Sequence, residues 1–187
     1  MVSGNFAVRL GTPAGRTSGD RGQTFQGVVE TRPRGAERGM FDASLEEVLH
    51  LVNTAGHAFA YPEAFGLKHD TALSKAMDLA RGGRFERPPR RYPEGAWYTY
   101  DDPTCDYECQ MAEYLYWGIT SLMGGQDFRG RCEDIRHEWR PNTPERMRET
   151  DPALTGLLTD PEYRLPTVLP DGTYRPAQPP PGSAADR

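Results

Sequence analysis

Cysteine is scarce, with three residues among 187, and this excludes the disulfide framework that staples many small secreted domains. Cys105 and Cys109 stand four apart and Cys132 is left over, so an oxidising compartment gives one bridge and one free thiol. A zinc site built from cysteines is disfavoured, because a closed tetrahedral site wants four ligands at tight spacing. Long hydrophobic runs are lacking too. No stretch is long and apolar enough to span a bilayer, and the N-terminus has no apolar signal-peptide core. Positive charge is in deficit: a net charge of -5 argues against a nucleic-acid partner, which needs a basic face for phosphates. Arginines cluster at Arg81 to Arg91 and Arg129 to Arg148, but the acids interleaved with them point to solvated faces and local ion pairs.

Proline and glycine, by contrast, are plentiful at 17 and 20 residues. Both interrupt regular structure, so long irregular segments are expected. With only 36% hydrophobic residues the core must be modest. The expected organisation is an irregular or disordered leader over 1–38, one helical domain over 39–175 and a disordered tail over 176–187. The fold class is mainly α, an irregular helical domain with long Pro/Gly-rich loops. No internal repeat is present.

Within the domain the first helix runs from about Leu45 to Ala55. Ser44 and Glu47 form a capping box at its start, and Gly56 supplies a stop. Leu45, Val48, Leu49 and Val52 recur at helical spacing and imply a buried face. Asp70 or Thr71 caps a second helix through Arg81, with Leu73, Ala76, Met77 and Ala80 as its buried stripe and Gly82-Gly83 as its end. A loop from Phe85 to about Thr104 follows, long enough to be functional or mobile. The third helix, about Tyr107 to Met123, is the most apolar: Met111, Leu115, Ile119 and Leu122 face one way. A shorter helix spans about Asp127 to Trp139. Thr143-Pro144 and Asp151-Pro152 each place a cap before proline at the first helical position, starting helices that end near Glu149 and Leu158. Pro170-Asp-Gly suggests a small hairpin within Leu165 to Tyr174.

The chemistry-bearing residues fall on the first and third helices. Glu46 and His50 lie four apart, so both side chains project from adjacent turns of one helix face and can reach one metal ion. Zinc accepts carboxylate oxygen as well as imidazole. The spacing resembles that of the zincin metallopeptidases, and the resemblance implies that Glu47, next to Glu46, is a general base for water activation. A third ligand is needed, and Glu113 is the candidate, a lone carboxylate in the apolar stretch from Met111 to Ile119. Such a group costs several kcal/mol inside a core unless it is paired or metal-bound. If Glu47 closes the capping box, its carboxylate turns back to the helix start and cannot also serve as base. His57 reads as a loop residue, and His69 and His137 as surface residues. A second constellation, Asp101, Asp102, Asp106 and Glu108 around Cys105 and Cys109, could hold calcium through hard oxygen ligands, or cap the third helix at its positive end.

Glu46-Glu47-x-x-His50 resembles the zincin metallopeptidase motif H-E-x-x-H with glutamate in place of the first histidine. The gluzincin branch of those enzymes takes its third ligand from a glutamate on a later helix, which Glu113 matches. That resemblance implies zinc, a peptide or protein substrate, metal-assisted peptide hydrolysis, and an arrangement corresponding to the helical part of a zincin-like fold. From about Glu30 to Tyr174 the chain also resembles a family of uncharacterised bacterial proteins. Phe41-Asp-Ala-Ser-Leu-Glu-Glu-Val-Leu-His50, Ala76-Met-Asp-Leu-Ala-Arg-Gly-Gly83, Trp97-Tyr-Thr-Tyr-Asp-Asp102, Thr104-Cys-Asp-Tyr-Glu-Cys109, Glu113-Tyr-Leu-Tyr-Trp117 and Leu165-Pro-Thr-Val-Leu-Pro-Asp-Gly172 carry it. Members extend further at the N-terminus, which implies that this chain is a C-terminal piece. The expected protein is therefore a zincin-like metal-binding domain, active as a hydrolase or an inactive relative, soluble, and extracellular or periplasmic in a full-length form. The alternative is a non-catalytic secreted helical module, for binding or structure, stabilised by calcium in one version.

Overall fold

Helix-forming stretches separated by prolines and glycines build a small helical assembly, seen in a computed structural model that describes residues 43–169, with side chains from Glu46 onward. The expected leader and tail, the second half of the hairpin with its turn, and the Ser44 side chain lie outside the described residues. The helices are α1 (Ala43–Val52), a π-helical turn (Asn53–His57), α2 (Ala58–Ala60), α3 (Pro62–Phe65), α4 (Ala72–Arg81), α5 (Tyr107–Leu122), α6 (Arg131–Ile135), α7 (Pro144–Thr150) and α8 (Pro152–Thr159). A short 3-10 turn, Pro161–Tyr163, follows. Among the described residues strand pairing is limited to one antiparallel bridge between Tyr98 and Trp139. The fold is mainly α, as the periodicities imply.

Helix α5 is the hub, with α1, α4, α7 and α8 all packed on it. Twelve of its residues are buried, which is why its apolar residues are not confined to one stripe. Tyr114, Leu115 and Tyr116 are at most 1% exposed, and full burial of side chains this size stabilises by about 1.5–3 kcal/mol each. Trp139 joins them through edge contacts with Tyr98 and Tyr114, and its indole N–H donates to Ser121 Oγ at 2.9 Å.

The caps behave as their spacing implies. Thr71 Oγ1 accepts from Ser74 N, Asp106 Oδ1 from Cys109 N, Thr143 Oγ1 from Arg146 N and Asp151 Oδ1 from Leu154 N. Gly82 ends α4 in the left-handed region at φ 74°. The stripe Leu73, Ala76, Met77 and Ala80 is buried.

Four expectations need correcting. The first helix begins at Ala43 and does not stop at Gly56; the chain stays helical through a π turn to His57, then continues as Ala58–Ala60. His57 is therefore helical, with its ring near Tyr61 and Phe65. The helix expected over Asp127 to Trp139 is reduced to Arg131–Ile135, because Gly130 at φ 86° turns the chain just before it. Third, the arginine clusters are not all solvated. Arg81 is fully buried and ties α4 to α5: its guanidinium donates to Asp78 Oδ1 (2.7 Å), Gln110 Oε1 (2.6 Å) and the Phe85 carbonyl (3.0 Å). His69 is likewise half-buried against the Tyr107 ring and paired with Glu86, whereas His137 is exposed as expected.

The last correction concerns α1 and bears on function. Val48 and Val52 are 58% and 47% exposed, and Leu51 is 64% exposed. The side of the helix nearer the core carries Glu46, Leu49, His50 and Asn53 instead. Hydrophobic period detects an apolar face; it does not say which face turns inward.

Candidate metal centre

Because α1 presents polar residues toward α5, it brings Glu46 and His50 against Glu113. His50 Nε2 lies 3.5 Å from Glu113 Oε1 and 3.7 Å from Glu46 Oε1. One ligand atom from each residue falls within 4.8 Å of the others. All three side chains are partly to mostly shielded from solvent. Neither imidazole nitrogen has a hydrogen-bond partner among the described residues, and 3.5–3.7 Å is too long for a normal N–H to oxygen bond. The spacing suits a bridging ion better. Two ligands each about 2.0–2.2 Å from a tetrahedral ion stand roughly 3.3–3.6 Å apart.

Two carboxylates beside one imidazole give the cluster an acidic bias. Burial works against a charged His50, but Glu113 and Glu46 outweigh it and push its pKa up to about 9. Burial raises the Glu113 carboxyl; His50 opposes that, the Glu46 charge adds to it, and a polar contact from the Tyr100 hydroxyl partly offsets it. The Tyr116 ring lies 5.9 Å from the His50 ring and walls one side. Without a metal a proton on His50 offsets one of the two carboxylate charges. A divalent cation can replace that proton.

The sequence-derived candidates divide cleanly. Glu46, His50 and Glu113 come together; Glu47 is exposed and stands outside the cluster. The reason is helical geometry: a residue next to Glu46 is rotated by about 100° around the helix axis, away from α5. Asp101, Asp102, Asp106 and Glu108 do not gather into a ligand cluster among the described residues. Asp106 caps α5, and Asp102 accepts from Thr104 N and Thr104 Oγ1 within a turn. Cys105 and Cys109 are bridged beside them and Cys132 is free.

Two groups near the centre escaped the sequence reading. Tyr100 comes from the proline-rich loop, and Glu138 from the turn after α6. Glu138 accepts from Trp117 Nε1 at 3.4 Å. Burial, then the Glu113 charge, push its carboxyl up to about 8, against the indole hydrogen bond. The only advance signal was a glutamate beside a tryptophan, Glu138-Trp139, in a stretch otherwise rich in exposed charge. Tyr100 and Glu138 also line a cavity of about 470 Å³ next to the centre. No helix among the described residues is long and apolar enough to cross a membrane. No family model, curated protein or solved structure gives a significant match to this chain.

Proposed function

We propose that this protein is a mononuclear metal-binding domain in which Glu46, His50 and Glu113 hold one zinc ion, and that the centre serves metal-assisted hydrolysis of a peptide bond. The observation that carries this reading is His50 Nε2, which faces two carboxylate oxygens at 3.5 Å and 3.7 Å and has no hydrogen-bond partner among the described residues. An imidazole beside two carboxylates suits zinc, whereas calcium prefers an all-oxygen shell. Three protein ligands leave the fourth position open, the pattern of catalytic zinc sites. Bound there, zinc would supply Lewis acidity toward a carbonyl and lower the pKa of water.

The chain's own residues would then do the rest. Glu47 is exposed and is not part of this proposal as general base. Glu138, with its carboxyl raised to about 8, is the better group to hold or move a proton near neutral pH, where a matched pKa favours transfer. Tyr100 would orient Glu113 and offer its hydroxyl to the cavity. The cavity beside these two residues gives a substrate its way in.

A second reading rests on His50 itself. With its pKa raised to about 9, the imidazolium between Glu46 and Glu113 is also a charge-paired structural triad, the core of a non-catalytic helical module. Metal analysis of the purified protein separates the two. Stoichiometric zinc, lost in both H50A and E113Q, supports the metal centre. Protein that takes up no transition metal on dialysis against zinc, and melts at the same temperature with and without it, would leave the structural triad. Peptidase activity is tested apart, on the zinc-loaded protein with a mixed peptide library.

A further inference from the structure

The cavity beside the metal centre has a composition of its own. The loop around Pro88 to Pro103 and the turn at His137 to Arg140 line it as a half-open depression, with a volume of about 470 Å³, within the range of small-molecule sites. Three arginines line it: Arg90, Arg91 and Arg140. None of them has a carboxylate partner among the described residues. Neighbouring arginines do have partners. Arg84 is held by Asp70 and Asp78, and Arg87 donates to the carbonyls of Pro103 and Thr104. Two acids, Asp101 and Glu138, share the lining with the three cations, so positive charge is in excess there although the chain as a whole is acidic.

The walls are fixed. Thr99 N donates to the Glu138 carbonyl at 2.8 Å, and Arg140 N to the Trp97 carbonyl at 3.1 Å. Tyr92 bridges across by donating its hydroxyl to the Tyr100 carbonyl and accepting from Tyr100 N. Prolines at 88, 89 and 103 stiffen the rim further. A cavity lined by arginines with no carboxylate partner among the described residues matches planar or tetrahedral oxyanions, because the guanidinium fork offers parallel donors.

We infer that this cavity is a binding site for a small ligand with an oxyanion head, a carboxylate or a phosphate, held by Arg90, Arg91 and Arg140. The tail of the ligand passes Tyr100 and Glu138 toward Glu113, which rests on the metal reading; the anion-binding head does not. For a peptide substrate, the head would be the C-terminal carboxylate.

The test uses chelator-treated protein, so that the anion site is read without the metal. Isothermal titration with inorganic phosphate, and with an N-acetylated dipeptide carrying a free or an amidated C-terminus, reports the head. Saturable binding that falls by about tenfold or more in R91A/R140A is expected, since each change removes a charge-assisted donor. Preference for the free over the amidated dipeptide identifies a carboxylate head, and binding of phosphate alone identifies a phosphate head. These arginines are exposed, so the double variant is expected to fold, which circular dichroism checks, and to keep the zinc stoichiometry of the parent. No saturable binding of any of the three probes, or binding unchanged in R91A/R140A, overturns the inference. Anion binding without zinc uptake would leave the head in place and remove the metal reading alone.

Discussion

His50 on α1 and Glu113 on α5 meet at 3.5 Å from imidazole nitrogen to carboxylate oxygen, although 63 residues separate them in the chain. Glu46, one turn before His50, completes the set at 3.7 Å. Their meeting explains why α1 turns a polar face to the core and leaves Val48 and Leu51 in solvent. Removing any one ligand should lower zinc affinity by roughly a hundredfold or more, beyond the 10–100-fold typical of residues that only support a ligand. Competition against a chromophoric chelator measures this for E46Q, H50A and E113Q. The exposed Glu47 serves as the control, and E47Q is expected to leave zinc affinity unchanged.

Zinc affinity should rise with pH. In the metal-free protein His50 carries a proton up to about pH 9, and that proton must leave before its nitrogen can ligate. Affinity should therefore improve by about tenfold per pH unit between pH 6.5 and 8.5, with one proton released per ion bound. Calorimetry in buffers of different ionisation enthalpy counts the protons. A flat profile would mean that zinc binds without displacing the His50 proton.

The stability of the metal-free protein should move the other way. Both His50 and Glu138 have folded pKa values above their ordinary ones, at about 9 and about 8. In that range the folded state binds more protons than the unfolded state, so stability falls as pH rises. The Glu138 contribution is complete below about pH 4.5 and is lost by about pH 8; that of His50 is complete below about pH 6.5 and is lost by about pH 9. Chelated protein should melt at a lower temperature at pH 9 than at pH 6, and saturating zinc should narrow the difference.

Much of this was legible in the chain. Cap residues announce themselves by local chemistry, which is why Thr71, Asp106, Thr143 and Asp151 all sit where spacing puts them. Glu46 and His50 were readable because one helix turn alone sets their proximity, and Glu113 because a carboxylate in an apolar helix needs a partner. Glu138 and Tyr100 were not, since they reach the site from a turn and a loop, where no period relates sequence to direction. The inward face of α1 is hidden from the sequence for a related reason. Apolar periodicity favoured Val48 and Val52, whereas the side chains that face α5 are those that meet Glu113.

Asp151 shows how a local signal can conceal a tertiary one. Its Oδ1 caps α8, as the Asp-Pro pair implies, but its Oδ2 accepts from Trp97 Nε1 at 2.8 Å and from Tyr114 Oη at 2.6 Å. The residue is fully buried. D151A leaves three donors without an acceptor and should destabilise by about 3–5 kcal/mol. D151N keeps an acceptor oxygen and should cost clearly less. Urea denaturation followed by tryptophan fluorescence compares the two, and equal losses would show that the two donors on Oδ2 carry the effect and that the cap, which asparagine also makes, adds little.

Gly118 sets the distance between α5 and α8. A Cβ at this position would overlap Leu154 Cδ2 and meet Leu158 Cδ1 at 3.0 Å, and Leu154 is fully buried. Alanine gains about 1 kcal/mol of helix propensity over glycine, while overpacking costs about 1–3 kcal/mol. G118A should therefore be destabilised by about 1 kcal/mol net or slightly more. L154A alone empties the contact and should cost about 2–5 kcal/mol. In G118A/L154A the new methyl enters the space that leucine leaves, so the double variant should be more stable than the sum of the two single losses predicts. Strict additivity in urea denaturation would mean that the two helices slide apart instead of clashing.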